Sequence, residues 1–263
     1  MYSALIRTHD SAATLPRTLA SLAAQSVPPA EYVIVDSGSS DGTLGLLPPG
    51  AKVHRYVGPG YNYSEALNQG LDRVLCEHVL VISSHTRLDH PGAVARALEL
   101  LRGDARLGAV SFSGDDPAAL EHEVIDRSNF DGFNGVWNTA SLFDGALLRS
   151  RRFRPEVFSA EDQEWSRWLC QERGMALARL RGAGLVNSNP RRQSRRKALN
   201  EYLAIAIYAN SKLLAWPNIL RVGCSAVKPT WHRSLEERAF KLQLFARLLA
   251  CRFVTPKPGS RYF

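Results

Sequence analysis

Two neighbouring carboxylates open a predicted helix at Ala160-Glu161-Asp162-Gln163-Glu164-Trp165. A carboxylate held beside a hydroxyl can take its proton as that oxygen attacks an electrophile, so the pair suits general-base work. Acids in a first turn also complement the helix dipole, and alone the pair asks for no more than that. Asp36 ends the apolar run Glu31–Val35 and opens Asp36-Ser37-Gly38-Ser39-Ser40-Asp41-Gly42-Thr43. An acid there can accept from the imide N–H of a uracil or thymine ring; Asp before Ser-Gly-Ser also makes a turn unaided. Asp41-Gly42-Thr43 reads as turn and cap. His9, in Arg7-Thr8-His9-Asp10, either stacks on a ring or is a satisfied polar residue. Arg191, Arg192, Arg195, Arg196 and Lys197 form a basic run that is either a solvated face or a counter-charge for a leaving anion.

These residues need elements to hold them. Short apolar runs at Ser3–Ile6, Glu31–Val35, Lys52–Val57, His78–Ile82 and Leu107–Phe112 predict strands. Helical spacing predicts helices over 14–25, 64–75 and 93–101, with a brief turn at 43–47. The alternation is that of an α/β fold with a parallel sheet, whose ligands bind beyond the carboxyl ends of the strands. Arg7–Asp10, Asp36–Gly42 and Ser83–Thr86 all follow a strand. Residues 114–137 read as a long Gly-, Asp- and Asn-rich loop, Ala140–Leu148 as a strand, 160–173 as a helix with Trp165, Trp168 and Leu169 on its apolar face, and Met175–Leu180 as a strand. Two helices are expected around 194–215 and 231–253.

The chain has 263 residues, 45% hydrophobic and 22% charged, which excludes disorder and collagen-like repeats. That length fits one large domain, or a domain with an appendage, and needs no staples. The cysteines Cys76, Cys170, Cys224 and Cys251 show no zinc spacing and read as reduced thiols of a cytosolic protein. There is no run of 18 apolar residues, and the N-terminus is not expected to be a signal peptide. Residues 190–263 hold 15 Lys+Arg against 3 Asp+Glu, whereas residues 1–189 hold 18 against 22. The basic end suits contact with phosphate: nucleic acid, anionic lipid or a diphosphate substrate. No nucleic-acid-binding motif is present and the rest of the chain is net acidic, so nucleic acid ranks last.

Taken together, VDSGSSDGT at Val35–Thr43, Leu67-Asn68-Gln69-Gly70 and Glu161-Asp162-x-x-Trp165 resemble the family 2 glycosyltransferases of the GT-A fold, over about residues 3–190. The first motif is highly specific in this context; the other two alone are weak. The wider set of IRT, DSGS, SSH and EDQEW is similar to bacterial rhamnosyltransferase-like and polysaccharide transferases, which suggests a deoxyhexose donor. The resemblance implies a GT-A, Rossmann-like fold with a mostly parallel central sheet over residues 1–190 and a basic helical extension over 191–263. It implies an inverting transfer from a UDP- or dTDP-sugar to a hydroxyl of a glycan or lipid-linked glycan in bacterial surface polysaccharide synthesis. Asp162 would be the base, with Glu161 bonding acceptor or backbone. Arg7, Thr8, His9, Asp36, Ser37, Asn68, Ser83 and Ser84 would hold the donor nucleotide. Trp137 and Trp165 would border donor and acceptor, and Arg191 and Arg192 would meet the diphosphate.

The chain departs from that family where a divalent cation is usually bound. The expected Asp-x-Asp after the fourth strand is Ser83-Ser84-His85, and an expected downstream His is replaced within Asn187-Ser188-Asn189. Only His85 remains as a metal ligand. Either Mg²⁺ or Mn²⁺ is held weakly by His85 and the diphosphate, or fixed cations replace the ion in a metal-independent reaction.

The last helix carries Trp231, Leu235, Ala239, Leu242, Ala246, Leu249 and Phe253 on one stripe, with Arg233, Arg238, Lys241, Arg247 and Arg252 off it. Such a stripe packs on the domain, on a second subunit, or on an anionic membrane at the inner face of the cytoplasmic membrane. Two rival readings remain. A sugar-phosphate nucleotidyltransferase would need a glycine-rich loop after the first strand, which Arg7-Thr8-His9-Asp10 lacks. A non-catalytic module that binds nucleotide-sugar or glycan would explain the lost Asp-x-Asp but not the retained Glu161-Asp162.

Overall fold

The computed structural model describes residues 1–114, 120–189, 194–227 and 234–254. Its first half follows the expected alternation: β1 (Tyr2–Thr8), α1 (Leu15–Ala23), β2 (Glu31–Asp36), β3 (Lys52–Arg55), α2 (Tyr63–Leu71), β4 (His78–Ser83), the short β5 (Thr86–Leu88), α3 (Ala93–Gly103) and β6 (Leu107–Phe112). β1 and β4 are buried along their lengths because the sheet is covered on both faces. One apolar layer gathers Ile6, Ile34, Leu80, Val94 and Leu98; the other gathers Leu5, Val35, Leu67, Val81 and Phe143.

The central sheet has eight strands in the order β3-β2-β1-β4-β8-β6-β9-β7, and β3, β2, β1 and β4 run parallel. Registry lays the carboxyl ends side by side: Thr8 pairs with Asp36, and Arg7 with Ser83. This is the mostly parallel α/β sheet that the sequence implies.

The second half corrects three expectations and shows one pairing that the sequence does not indicate. β6 does not neighbour β4; β8 (Ala140–Asp144) lies between them, antiparallel to both. The predicted strand Ala140–Leu148 stops at Asp144, whose carboxylate caps the short helix α4 (Gly145–Ser150) by accepting the Leu147 N–H at 2.7 Å. The loop expected over 114–137 contains β7 (His122–Ile125), an edge strand antiparallel to β9 (Ala176–Leu180). The helix expected over 194–215 ends at Asn210: α6 (Arg195–Ala204) runs into a π turn at Ile205–Ala209, and after a 3₁₀ turn the unforeseen helix α7 (Trp216–Val227) follows.

Between these elements, α5 (Glu161–Arg167) carries the acid pair, and β10 (Leu185–Asn187) pairs antiparallel with β5 in a small second sheet. The last helix is α8 (Leu235–Cys251). Its packing face is not the stripe the periodicity marks. Leu244 and Leu248 join Leu199, Leu203, Ile219 and Phe158 in a third apolar cluster, while Leu235 and Phe253 are exposed. At about 100° per residue, Leu235 lies half a turn from Leu244, so α8 has an apolar row on each side. Trp231 and Arg233 lie outside the described residues. Among the described residues no helix is long and apolar enough to cross a membrane.

Candidate active site

Beyond the carboxyl ends of β1 and β4 lies a cavity of about 670 Å³, walled by Arg7, Tyr63, Ser83, His85, Trp137, Asn138, Glu161, Asp162, Asn187, Asn189, Lys197 and Glu201. The sheet topology delivers the first residues, α5 the acid pair, the β5–β10 sheet the histidine and the two asparagines, and α6 the lysine.

The acid pair is buried. α5 begins at Ala160, whose φ of 55° is left-handed and unusual for a residue with a Cβ. Asp162 accepts the Asn138 N–H at 2.9 Å through one oxygen and the Gln163 N–H at 2.8 Å through the other. Glu161 accepts from the Asn138 side-chain amide at 3.0 Å and faces Arg7 Nη1 at 3.7 Å. The segment around Asn138 is clamped to α5: Gln163 accepts the Gly135 N–H and donates to the Val136 carbonyl, and the Ser166 hydroxyl accepts the Val136 N–H. Gly135 has to be glycine for this approach, since a Cβ there would lie 2.5 Å from Ser166 Oγ.

Burial pushes the Asp162 carboxyl well above the usual carboxylate range, and the Glu161 charge beside it adds to the rise. The Asn138 and Gln163 N–H groups and Arg7 pull the other way without cancelling it. Burial works against the Arg7 charge, but Tyr61, Glu161 and Tyr63 outweigh it and leave the guanidinium more firmly protonated than usual. The Arg7 guanidinium lies 4.7 Å from the centre of the Tyr63 ring. Glu164, on the next turn, faces elsewhere and pairs with Arg151 at 2.6 Å. Three buried polar atoms without a hydrogen-bond partner fall in this region: Arg7 Nη1, Thr8 Oγ1 and Asn138 Oδ1. Buried groups of that kind are commonly completed by a ligand or water.

The other residues that the sequence marks lie in the cavity wall, on the adjoining strand ends, elsewhere in the fold, or outside the described residues. Trp137 stands in the cavity wall, 39% exposed. Ser83 lines the cavity and donates to the Asn138 carbonyl at 3.3 Å; Ser84 is buried behind it, 2.8 Å from the Ser11 hydroxyl. Thr8, Asp36 and Ser37 lie on the adjoining strand ends. The Asp36 carboxylate accepts the Gly38 and Ser39 N–H groups at 3.0 Å and the Ser39 hydroxyl, so it builds the turn, where Gly38 has a φ of 90°. Asp41 and Thr43 tie this turn to the β1 loop through the Ala12 and Ser11 N–H groups. His9 Nε2 lies 3.6 Å from Asp10.

Two nominees sit elsewhere. Trp165 is fully buried against Phe143, and its indole N–H donates to the Arg151 carbonyl; it is core because the polar side of this short helix already meets the cavity. Asn68 spends both ends of its amide on the Phe153 backbone, clasping α2 to a stretch that has no sheet partner. Arg191 and Arg192 lie outside the described residues. The sequence carries no specific signal for Asn138, Glu201, Tyr61 or Tyr63.

The residues at the cation position do not make a divalent-metal site on their own. β5 and β10 bring Asn187 beside Thr86, so His85, Asn187 and Asn189 share the cavity wall. Among the described residues no group of three or more His, Cys, Asp and Glu is arranged to hold an ion. One imidazole with neutral amides and a hydroxyl is a poor set for Mg²⁺ or Mn²⁺. Lys197, 3.7 Å from Glu201 on α6, supplies a fixed cation to the same wall.

The model of the family described as "Glycosyl transferase family 2" matches residues 3–135. No curated protein matches the chain. Among solved structures, the mannosyltransferase PcManGT of Pyrobaculum calidifontis, in complex with GDP-Man and Mn²⁺, is similar at 19% identity and a TM-score of 0.60, covering 97% of this chain and 76% of that one. S. aureus TarS 1-349 is similar at 19% identity and a TM-score of 0.60, covering 95% and 81%. Glucosyl-3-phosphoglycerate synthase of Mycobacterium tuberculosis, in complex with Mn²⁺, UDP and phosphoglyceric acid, is similar at 16% identity and a TM-score of 0.56, covering 78% of each chain. At these identities the likeness is one of fold, and the fold is GT-A.

Proposed function

The chain belongs to glycosyl transferase family 2 and is an enzyme of that class; from that premise we propose that it is an inverting transferase using a UDP- or dTDP-sugar. The acceptor is a hydroxyl of a glycan or lipid-linked glycan, in the assembly of a bacterial surface polysaccharide. The observation that carries this reading is the buried Asp162, held by two N–H groups and facing a cavity at the carboxyl ends of β1 and β4.

In this reaction the acceptor oxygen attacks the anomeric carbon from the face opposite the diphosphate. The carbon–oxygen bond to the diphosphate breaks, and its electron pair leaves with the nucleoside diphosphate. Asp162 takes the acceptor proton. The two N–H groups fix the direction of its carboxylate. Its raised pKa makes it a stronger base than an exposed aspartate once ionised. Glu161, charged beside Arg7, orients the Asn138 amide and with it the segment that holds Asp162. Trp137 offers a ring face to a sugar.

The pyrimidine lies against Thr8, His9 and the Asp36–Ser37 turn, with one Asp36 oxygen accepting the imide N–H alongside its turn bonds. Lys197 meets the leaving diphosphate from α6, and Arg191 and Arg192 precede it in the chain; a fixed ammonium here answers the charge that a bridging cation neutralises elsewhere. Calorimetry with UDP, dTDP, GDP and CDP tests the donor class. UDP and dTDP should bind at least about ten-fold more tightly than GDP and CDP, the worth of one well-made buried hydrogen bond to a charged group. Equal affinity for GDP and UDP contradicts a pyrimidine-reading Asp36.

A further inference from the structure

The row of α8 that faces away from the core is apolar. Leu235 and Leu242 are 84% and 48% exposed, and Phe253, just past the helix end, is 74% exposed, whereas Leu244 and Leu248 on the opposite row are buried. Ala246 continues the outer row and is exposed as well. The half-buried Arg238 borders this row on one edge, and the exposed Arg247 and Glu236 border it on the other, all from α8. Beside it, between α6 and α8, runs a groove of about 550 Å³ in which Arg195, Arg196 and Arg247 stand over Leu199 and Ala246. Arg195 shares its charge with Glu236 at 2.9 Å. Residues 194–254 hold eleven Lys+Arg against three Asp+Glu.

We propose that this face of α6 and α8 docks on an anionic bilayer surface, with lipid phosphates in the arginine groove and the outer row of α8 in the headgroup–acyl boundary. Apolar side chains flanked by cations are what an interfacial helix presents to anionic lipid, and α8 is too short and too charged to cross instead. Charge decides the occupant. A second copy docked through the same face would set one basic surface against another, and a neutral surface would leave the arginines unanswered. The opposite side of α6 carries Lys197 and Glu201 into the catalytic cavity, so docking would hold that cavity a helix's width from the membrane. The inference does not depend on the identity of donor or acceptor.

Co-sedimentation of the full chain with vesicles is the test, comparing phosphatidylcholine alone with phosphatidylcholine in which about a third of the lipid is phosphatidylglycerol. Binding to the anionic vesicles is expected to be at least about ten-fold stronger and to fall steeply with added salt. Leu242→Glu and the pair Arg196→Glu with Arg247→Glu should each lower it about ten-fold or more, with donor hydrolysis at the wild-type rate. These positions are on the surface, so folding is not at stake, and circular dichroism verifies it. Equal or absent binding to the two vesicles overturns the proposal. So does a dimer in sedimentation equilibrium that Leu242→Glu dissociates while vesicle binding is absent.

Discussion

Arg7 Nη1 and Glu161 Oε1 face each other at 3.7 Å in the cavity wall, their side chains 12% and 8% exposed, one from the end of β1 and the other from the first turn of α5. This contact joins the half of the sheet that the family motif spans to the helix that carries Glu161 and Asp162. It also puts one cation beside two buried carboxylates: burial first, and the Glu161 charge after it, raise the Asp162 pKa, which Arg7 offsets only in part.

The raised Asp162 pKa gives a pH dependence. A base works ionised, so the transfer rate should rise with pH through a point above the ordinary carboxylate range, as followed by initial rates from about pH 5 to about pH 9. Stability runs the opposite way. A carboxyl whose folded pKa is raised is neutral in both states below its unfolded value. As pH climbs from there towards the folded value, the unfolded chain ionises first and folding is progressively disfavoured. The Tm of Asp162→Asn minus that of wild type should therefore increase with pH over the same range; a flat or falling difference would contradict the assignment of the shift.

Gly135→Ala tests the clamp that presents Asn138 to Asp162. Its Cβ would sit 2.5 Å from Ser166 Oγ and 2.7 Å from Gln163 Oε1. Overpacking of this kind costs about 1–3 kcal/mol, and here it also displaces the N–H that orients the base. Chemical denaturation should show the loss, with turnover falling further than the population of folded enzyme explains. An unchanged denaturation midpoint would show that the segment gives way freely.

Much of this site was legible before the fold. The parallel half follows from strand–helix alternation, and the Asp36 turn from Asp, Gly and Ser in order; the structure shows that the Asp36 carboxylate builds that turn. What escaped depends on pairing at long range. Nothing local places β8 antiparallel between β4 and β6, or puts an edge strand at His122–Ile125 inside a polar stretch. Asp144-Gly145 did carry a cap signal, hidden by the apolar residues on both sides of it. On α8 two apolar rows compete, and periodicity alone does not say which one meets the core. Trp165 follows the acids in sequence, but its place in a helical turn points it away from them, into the core.

The cation set makes a further prediction. With Ser83 and the amides of Asn187 and Asn189 where anionic or imidazole ligands are expected, the protein alone should bind Mn²⁺ no more tightly than the millimolar range, as read by isothermal calorimetry. Lys197→Ala should weaken UDP binding in the presence of EDTA by about ten-fold, close to the value of one charge-assisted hydrogen bond. Lys197→Arg should restore part of it. Tight Mn²⁺ binding by the unliganded protein, or a Lys197→Ala affinity equal to wild type, would remove Lys197 from the diphosphate.

Whether Asp162 takes the acceptor proton is decided by Asp162→Asn, with turnover and nucleotide affinity measured on the same preparation. Asparagine keeps the size and one acceptor oxygen but holds no proton-accepting charge. Sugar transfer should fall by ~10²–10⁴, the usual worth of a positioned base, while UDP affinity stays within about three-fold of wild type. Turnover within a few-fold of wild type in a variant that still binds UDP would contradict it.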